Sequence, residues 1–189
     1  MNANAVLDFW FGVPGEADFG KTRPLWFTKS EATDKLIRER FGGVLESALR
    51  NELDSWKTSP RDALALILVL DQFARNVYRD TPRSFAGDPE ALRIASHLVD
   101  SGEHRALQPV ERWFAYMPFE HSEFLNDQLE SVRLFEELAL DGLGEPLPWA
   151  VKHFDVIKRF GRFPHRNSIL GRTSTAEELE FLKEQGSRF

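Results

Sequence analysis

Ser59-Pro60-Arg61-Asp62-Ala63-Leu64-Ala65-Leu66-Ile67-Leu68-Val69-Leu70-Asp71-Gln72-Phe73-Ala74-Arg75-Asn76-Val77-Tyr78 is the stretch whose reading decides the fold class. Its first four residues are a helix start. Ser59 offers a side-chain oxygen to the free N–H groups of a first turn, Pro60 has the backbone angle that position needs, and Asp62 meets the positive end of the helix dipole. Ala63 to Leu70 is then apolar without interruption. A membrane crossing needs about 20 apolar residues, and an exposed helix would show apolar residues on one side only. The run therefore predicts a helix buried all round, central to a soluble protein and extending to about Tyr78.

Working outward, the same punctuation recurs. Asp88-Pro89-Glu90 opens a helix that should stop near Gly102. A long helix is expected from about Phe119 to Asp141, ended by Gly142 and Gly144, and another from about Pro148 to Phe160, ended by Gly161. Ser174-Thr175-Ala176-Glu177 reads as a capping box for a last helix to about Gln185. Shorter helices are expected at Ala3–Phe11, Glu31–Phe41, Val44–Leu53 and Val110–Tyr116. Alternating strand-like runs are nearly absent. The expectation is an all-α chain, one domain over 1–189, built as a compact array of antiparallel helix pairs. No linker divides it, and the usual tetratricopeptide signature is missing.

Composition excludes several classes of function. The net charge of −6 and isoelectric point near 5.4 argue against general nucleic-acid binding, which needs a basic surface. With no cysteine, disulfides, thiolate catalysis, iron–sulfur clusters and cysteine zinc sites are out, and a reducing cytoplasm is the expected compartment. Sixteen Phe and five Trp supply ample surface to bury. No signal-peptide pattern is visible, so no membrane partner is expected.

Several polar residues fall where apolar ones are expected. On a helical wheel Asp71, Gln72, Arg75, Asn76 and Arg79 occupy one arc of about 140° that continues the line of Leu64, Ala65 and Leu68. A stripe that begins buried and turns polar is either entering a cleft or emerging into solvent. Asp71 and Arg75 are spaced for an i,i+4 ion pair. On the expected Phe119–Asp141 helix, His121 and Gln128 lie within the face of Phe124, Leu125, Leu129, Val132, Phe135 and Leu138, with Glu120 at its edge. On the Pro148–Phe160 helix, His153 lies between Trp149, Ile157 and Phe160. Either histidine alone reads as a buried group satisfied by a carbonyl or carboxylate. Two of them, beside the Asp71–Asn76 group, make a site an equal reading. His97 and His104 lie around a helix end and are expected at the surface.

Phe160-Gly161-Arg162-Phe163-Pro164-His165-Arg166-Asn167 looks stiff, with Gly161 as helix stop and Pro164 holding Phe163 extended. From Lys152 to Arg172 there are six Lys/Arg and one Asp, an island of +5 in an acidic chain. Arg162, Arg166 and Arg172, with Asn167, could receive a carboxylate or phosphate. Lys158 and Arg159 are as well explained by the helix C-terminus. No Gly-rich phosphate loop, Gly-x-Ser-x-Gly elbow or His-x-x-x-His spacing occurs. No metal or other cofactor is therefore expected.

Leu7-Asp8-Phe9-Trp10-Phe11-Gly12, Leu70 through Asn76, Glu120-His121-Ser122-Glu123, and Phe160 through Asn167 with Gly171-Arg172 together resemble the domain of unknown function 924 family. The resemblance spans nearly the whole chain and implies an all-helical, tetratricopeptide-like fold of bacterial type. It brings no established activity and no assigned catalytic residues. Ala74 stands where the family commonly has proline and Phe124 where it commonly has an acid. The second departure weakens any carboxylate-rich metal site.

Two functional readings follow. In the first, Asp71, Gln72, Arg75, Asn76, Glu120, Gln128, Arg162, Arg166, Asn167 and Arg172 bind a small anionic ligand, with His121, His153 or His165 as acid/base catalyst. In the second, a helical scaffold binds a peptide or protein, and the same polar residues form a buried network that sets helix register.

Overall fold

The computed structural model describes residues 2–17 and 19–187. The elements are α1 (Ala3–Phe11), α2 (Glu31–Leu49), α3 (Pro60–Ile67), a π-helical turn (Leu68–Phe73), α4 (Ala74–Val77), α5 (Asp88–Asp100), α6 (Pro109–Glu120), α7 (Leu125–Leu140), α8 (Leu147–Phe160) and α9 (Ala176–Phe181), with short 3-10 turns between them. No strand occurs among the described residues, so the fold is all-α. No helix there is long and apolar enough to cross a membrane.

Ser59 caps α3 as its sequence position requires, its hydroxyl accepting the Asp62 N–H at 3.2 Å. Every residue from Ala63 to Leu70 is at most 2% exposed. α3 packs against α1, α5 and α6, and the π-turn that continues it packs against α2 and α5. Aromatic rings fill the space around this axis: Trp10, Phe11, Phe41, Phe73 and Phe114 are all buried. On the other side, the short connections from α6 to α7 and from α7 to α8 make each helix fold back on the one before.

Five expectations need correction. Glu31–Phe41 and Val44–Leu53 are a single helix, α2, running straight through Gly42 and Gly43. Two interior glycines cost about 1 kcal/mol each, and the buried stripe of Ile37, Phe41, Leu45 and Ala48 outweighs that. The expected Phe119–Asp141 helix is instead the end of α6, a four-residue break and α7. At the break the Ser122 hydroxyl accepts the Phe124 N–H and donates to Asp127. The break rotates α7, so its inward face is Gln128, Ser131, Leu134, Phe135 and Leu138. Phe124, Leu125 and Leu129 are left 74%, 46% and 51% exposed. Trp149 is likewise half exposed rather than buried. His104 is buried against the Tyr116 hydroxyl, with Nδ1 and Oη 2.6 Å apart. The last helix is also shorter than expected, passing into turns after Phe181.

α5 docks on the π-turn through Gly87. A Cβ at that position would lie 2.3 Å from the Leu70 carbonyl oxygen, a backbone atom that cannot step aside. Gly87→Ala should therefore lift the start of α5 and cost about 1–3 kcal/mol. Urea denaturation would read this directly, and a loss below about 0.5 kcal/mol would mean that α5 shifts freely.

Candidate functional site

The polar arc enters a cleft. Gln72, Arg75, Asn76 and Arg79, carried by the π-turn, α4 and the turn after it, line one side of a cavity of about 640 Å³. Trp113, Met117 and Glu120 of α6 form its floor with His121, and Trp149 and His153 of α8 close the far side. Leu25, Trp26, Phe27, Thr28 and Lys29 supply the rim. Phe27 is 56% exposed and stacks on Trp113 with ring centroids 5.2 Å apart, so the mouth is largely aromatic.

At its base sit two carboxylate–histidine pairs. Asp71 Oδ1 lies 2.7 Å from His121 Nδ1 and 2.9 Å from Arg75 Nη1, and Gln72 Nε2 donates to its other oxygen. Burial by itself would raise the Asp71 pKa, but Arg75 and His121 outweigh it and hold the carboxyl well below its ordinary range. An ionised Asp71 can only accept, so His121 Nδ1 carries a proton and Nε2 keeps a lone pair when the ring is neutral. His153 Nδ1 lies 2.9 Å from both Glu120 Oε1 and the Trp149 carbonyl oxygen. A carbonyl also only accepts, which puts the proton on Nδ1 here too. The two imidazole rings are 6.2 Å apart, centroid to centroid.

The arginines around the cavity are held in place by acids. Arg75 donates to the Asp71 carbonyl and makes a two-pronged pair with Asp88 at 2.9 and 3.1 Å. Its pKa is raised because Asp71 and Asp88 together overcome the burial that would lower it. Asp34 receives Asn76 at 2.8 Å and both prongs of Arg79 at 2.7 Å.

The structure brings Asp71, Gln72, Arg75, Asn76, Glu120, His121 and His153 to one place. The remaining expected residues lie elsewhere. Gln128 donates to the carbonyls of Phe119, Glu120 and Ser122, capping the end of α6. Arg162 turns away to Glu178, at 2.6 and 2.7 Å, and to the Thr173 carbonyl. Arg172 binds Glu123, Asn167 Oδ1 and the Phe163 carbonyl, while Asn167 also donates to Ser174 and Glu178. The 160–167 loop is thus a backing layer. Buried Phe163 stands with its ring 5.4 Å from His153 and 5.7 Å from His165.

His165 lies within that layer, where burial first, then Arg166 and His153, push its pKa down to about 3. The unfolded chain takes up a proton at this residue near the ordinary value of about 6.5, whereas the folded chain does so only near 3. Its contribution is fully present above the unfolded value and is lost as pH falls toward the folded one, by at most about 1.4 kcal/mol per pH unit. His165→Gln should therefore lose less Tm than wild type between pH 7 and pH 5; equal losses would place His165 in solvent.

Sequence reasoning missed the aromatic rim and two acids. Phe27, Trp113 and Asp34 carry no motif of their own, and Asp88 reads only as a helix-start acid. Adjacent Trp26 and Phe27, in a Pro-led stretch outside any amphipathic pattern, were the available signal.

These features define a class: an all-helical protein with an aromatic-mouthed cavity over paired histidine–carboxylate groups. The chain belongs to the family described as bacterial protein of unknown function (DUF924), whose profile matches residues 6–186. It is also similar to a solved structure, that of the protein of unknown function ATU0120 from Agrobacterium tumefaciens. The two share 37% identity over 96% of each chain, with a TM-score of 0.84. No curated protein matches the chain.

Proposed function

We propose that the cavity binds a small molecule with a flat, apolar body, and that His121 and His153 perform acid–base chemistry on it. The observation that carries this reading is the pair of imidazoles, each held at Nδ1 by a buried carboxylate, at the base of one aromatic-walled cavity. A volume of about 640 Å³ falls within the range typical of small-ligand sites. Orientation through Nδ1 leaves each Nε2 as the nitrogen for proton transfer, and a carboxylate behind it stabilises the imidazolium that forms. Two such groups suit a reaction that needs an acid and a base at once. A cysteine-free, acidic chain of this kind is expected to work in the cytoplasm.

Tryptophan emission titrated with small aromatic acids and amides tests the binding half of this reading. Phe27→Ala and Trp149→Ala should each weaken binding roughly tenfold, and no response from any member of the panel would overturn the reading. Once a substrate is known, His121→Gln should lower kcat by roughly 10²–10⁴-fold. A scaffold reading is favoured by one observation only: Arg75, Asp88, Asp71 and His121 form a continuous ionic chain that could set helix register without any ligand.

A further inference from the structure

Four arginines in and behind the cavity wall have their donors committed. Arg75 is held by Asp71 and Asp88, Arg79 by Asp34, Arg162 by Glu178, and Arg172 by Glu123 and Asn167. Arg166 is different. It is only 7% exposed, yet its side chain makes no hydrogen bond to any described residue, and its Nε is buried without a partner. Among the described residues the closest carboxylate oxygen, Asp88 Oδ2, is 3.8 Å away and already accepts from Arg75.

The surroundings of Arg166 are shaped. Its guanidinium carbon lies 4.8 Å from the Phe85 ring centre and 4.4 Å from that of Phe163. Rings against a guanidinium stabilise the charge through their faces and leave the in-plane N–H groups for an acceptor. Burial of a cation with only one long, shared ion contact is costly, and a buried donor without an acceptor is rare in folded proteins. Burial and the nearby Arg75 push the Arg166 pKa down to about 10, so the protein's own acids leave this charge under-compensated. The missing partner is an acceptor carrying negative charge, and the planar fork fits an oxyanion.

We propose that Arg166 is an oxyanion subsite adjoining the cavity, taking a carboxylate or phosphate group. The group comes either from a free anion or from the cavity ligand itself, and the second source rests on the small-molecule reading above. Arg166 is one residue removed from the cavity wall by two routes: it shares Asp88 with Arg75, and it lies on Phe163, which backs His153.

Inorganic phosphate is the first probe. In wild type, Tm should climb roughly 3–5 °C for each tenfold rise in phosphate above its Kd, beyond the effect of sodium chloride at equal ionic strength. Arg166→Met, which keeps the stacked volume and removes the charge, should abolish the rise, and Arg50→Ala, on the exposed end of α2, should keep it. Phosphate should also shift the His165 ring resonances of the wild-type protein, a readout that does not depend on Arg166→Met folding. A phosphate response no larger than that of chloride, or one retained in Arg166→Met, overturns the subsite.

Phenylacetate against phenylacetamide distinguishes the two sources. If the ligand's own acid reaches Arg166, wild type should prefer the acid at least tenfold and Arg166→Met should lose the preference while still binding the amide. Equal binding of acid and amide, together with a phosphate response through Arg166, assigns the subsite to a free anion. Amide binding with no phosphate response sinks the subsite and leaves the cavity reading standing. A phosphate response through Arg166 with neither aromatic compound bound supports the subsite and sinks the cavity reading.

Discussion

Asp71→Ala should lower the free energy of unfolding by about 3–5 kcal/mol, the usual consequence of removing one partner from a buried ionic group. Asp71 is completely buried and stands between Arg75, His121 and Gln72. Its loss leaves His121 without an acceptor at Nδ1 and leaves Arg75 with Asp88 and the backbone carbonyl of residue 71. The pH dependence separates this from simple cavity formation. Because the folded carboxyl is held below its ordinary range, its contribution is complete above the unfolded value of about 3.9 and is lost progressively below it. The acid limb of wild-type stability should therefore be steeper than that of Asp71→Ala. Urea denaturation at pH 7 and pH 3.5 measures both effects, and a loss under about 1 kcal/mol at pH 7 would reduce Asp71 to a replaceable polar residue.

Leu68→Ala should cost about 2–5 kcal/mol. Leu68 is fully buried at the point where α3 passes into the π-turn, with buried neighbours on every side. Leu129→Ala is the informative control. Both leucines read as core from the sequence, but Leu129 is 51% exposed on the outer face of α7, so its truncation should stay within about 0.5 kcal/mol. Comparable losses at the two positions would mean that the break before α7 closes in solution.

This contrast marks how far the sequence could be read. Caps and apolar runs are local, and they located α1, α3, α5, α8 and the burial of Ala63–Leu70 without tertiary information. The break at Ser122 was not legible, because it is stabilised by Gln128 reaching back to three carbonyls, a contact that exists only after α6 and α7 have packed. An unbroken helix through Ser122 would carry Leu129 inward, whereas it is 51% exposed. The candidate site divides in the same way. Asp71, Arg75, His121 and His153 stood out because polar groups on apolar faces are costly unless satisfied. The commitments of Arg162 and Arg172 to Glu178 and Glu123 depend on residues 16 and 49 positions away in the chain, and no spacing rule reveals them.

The π-turn has a consequence for how this protein can change. It amounts to a one-residue insertion in an otherwise ordinary helix, and everything after it is out of phase by about 100° with the residues before it. Deleting a single residue between Leu68 and Phe73 would let the segment relax to regular α-helix. Arg75, Asn76 and Arg79 would then swing round the helix axis and away from His121. The cavity wall is thus one codon from being dismantled, while helix content would barely change.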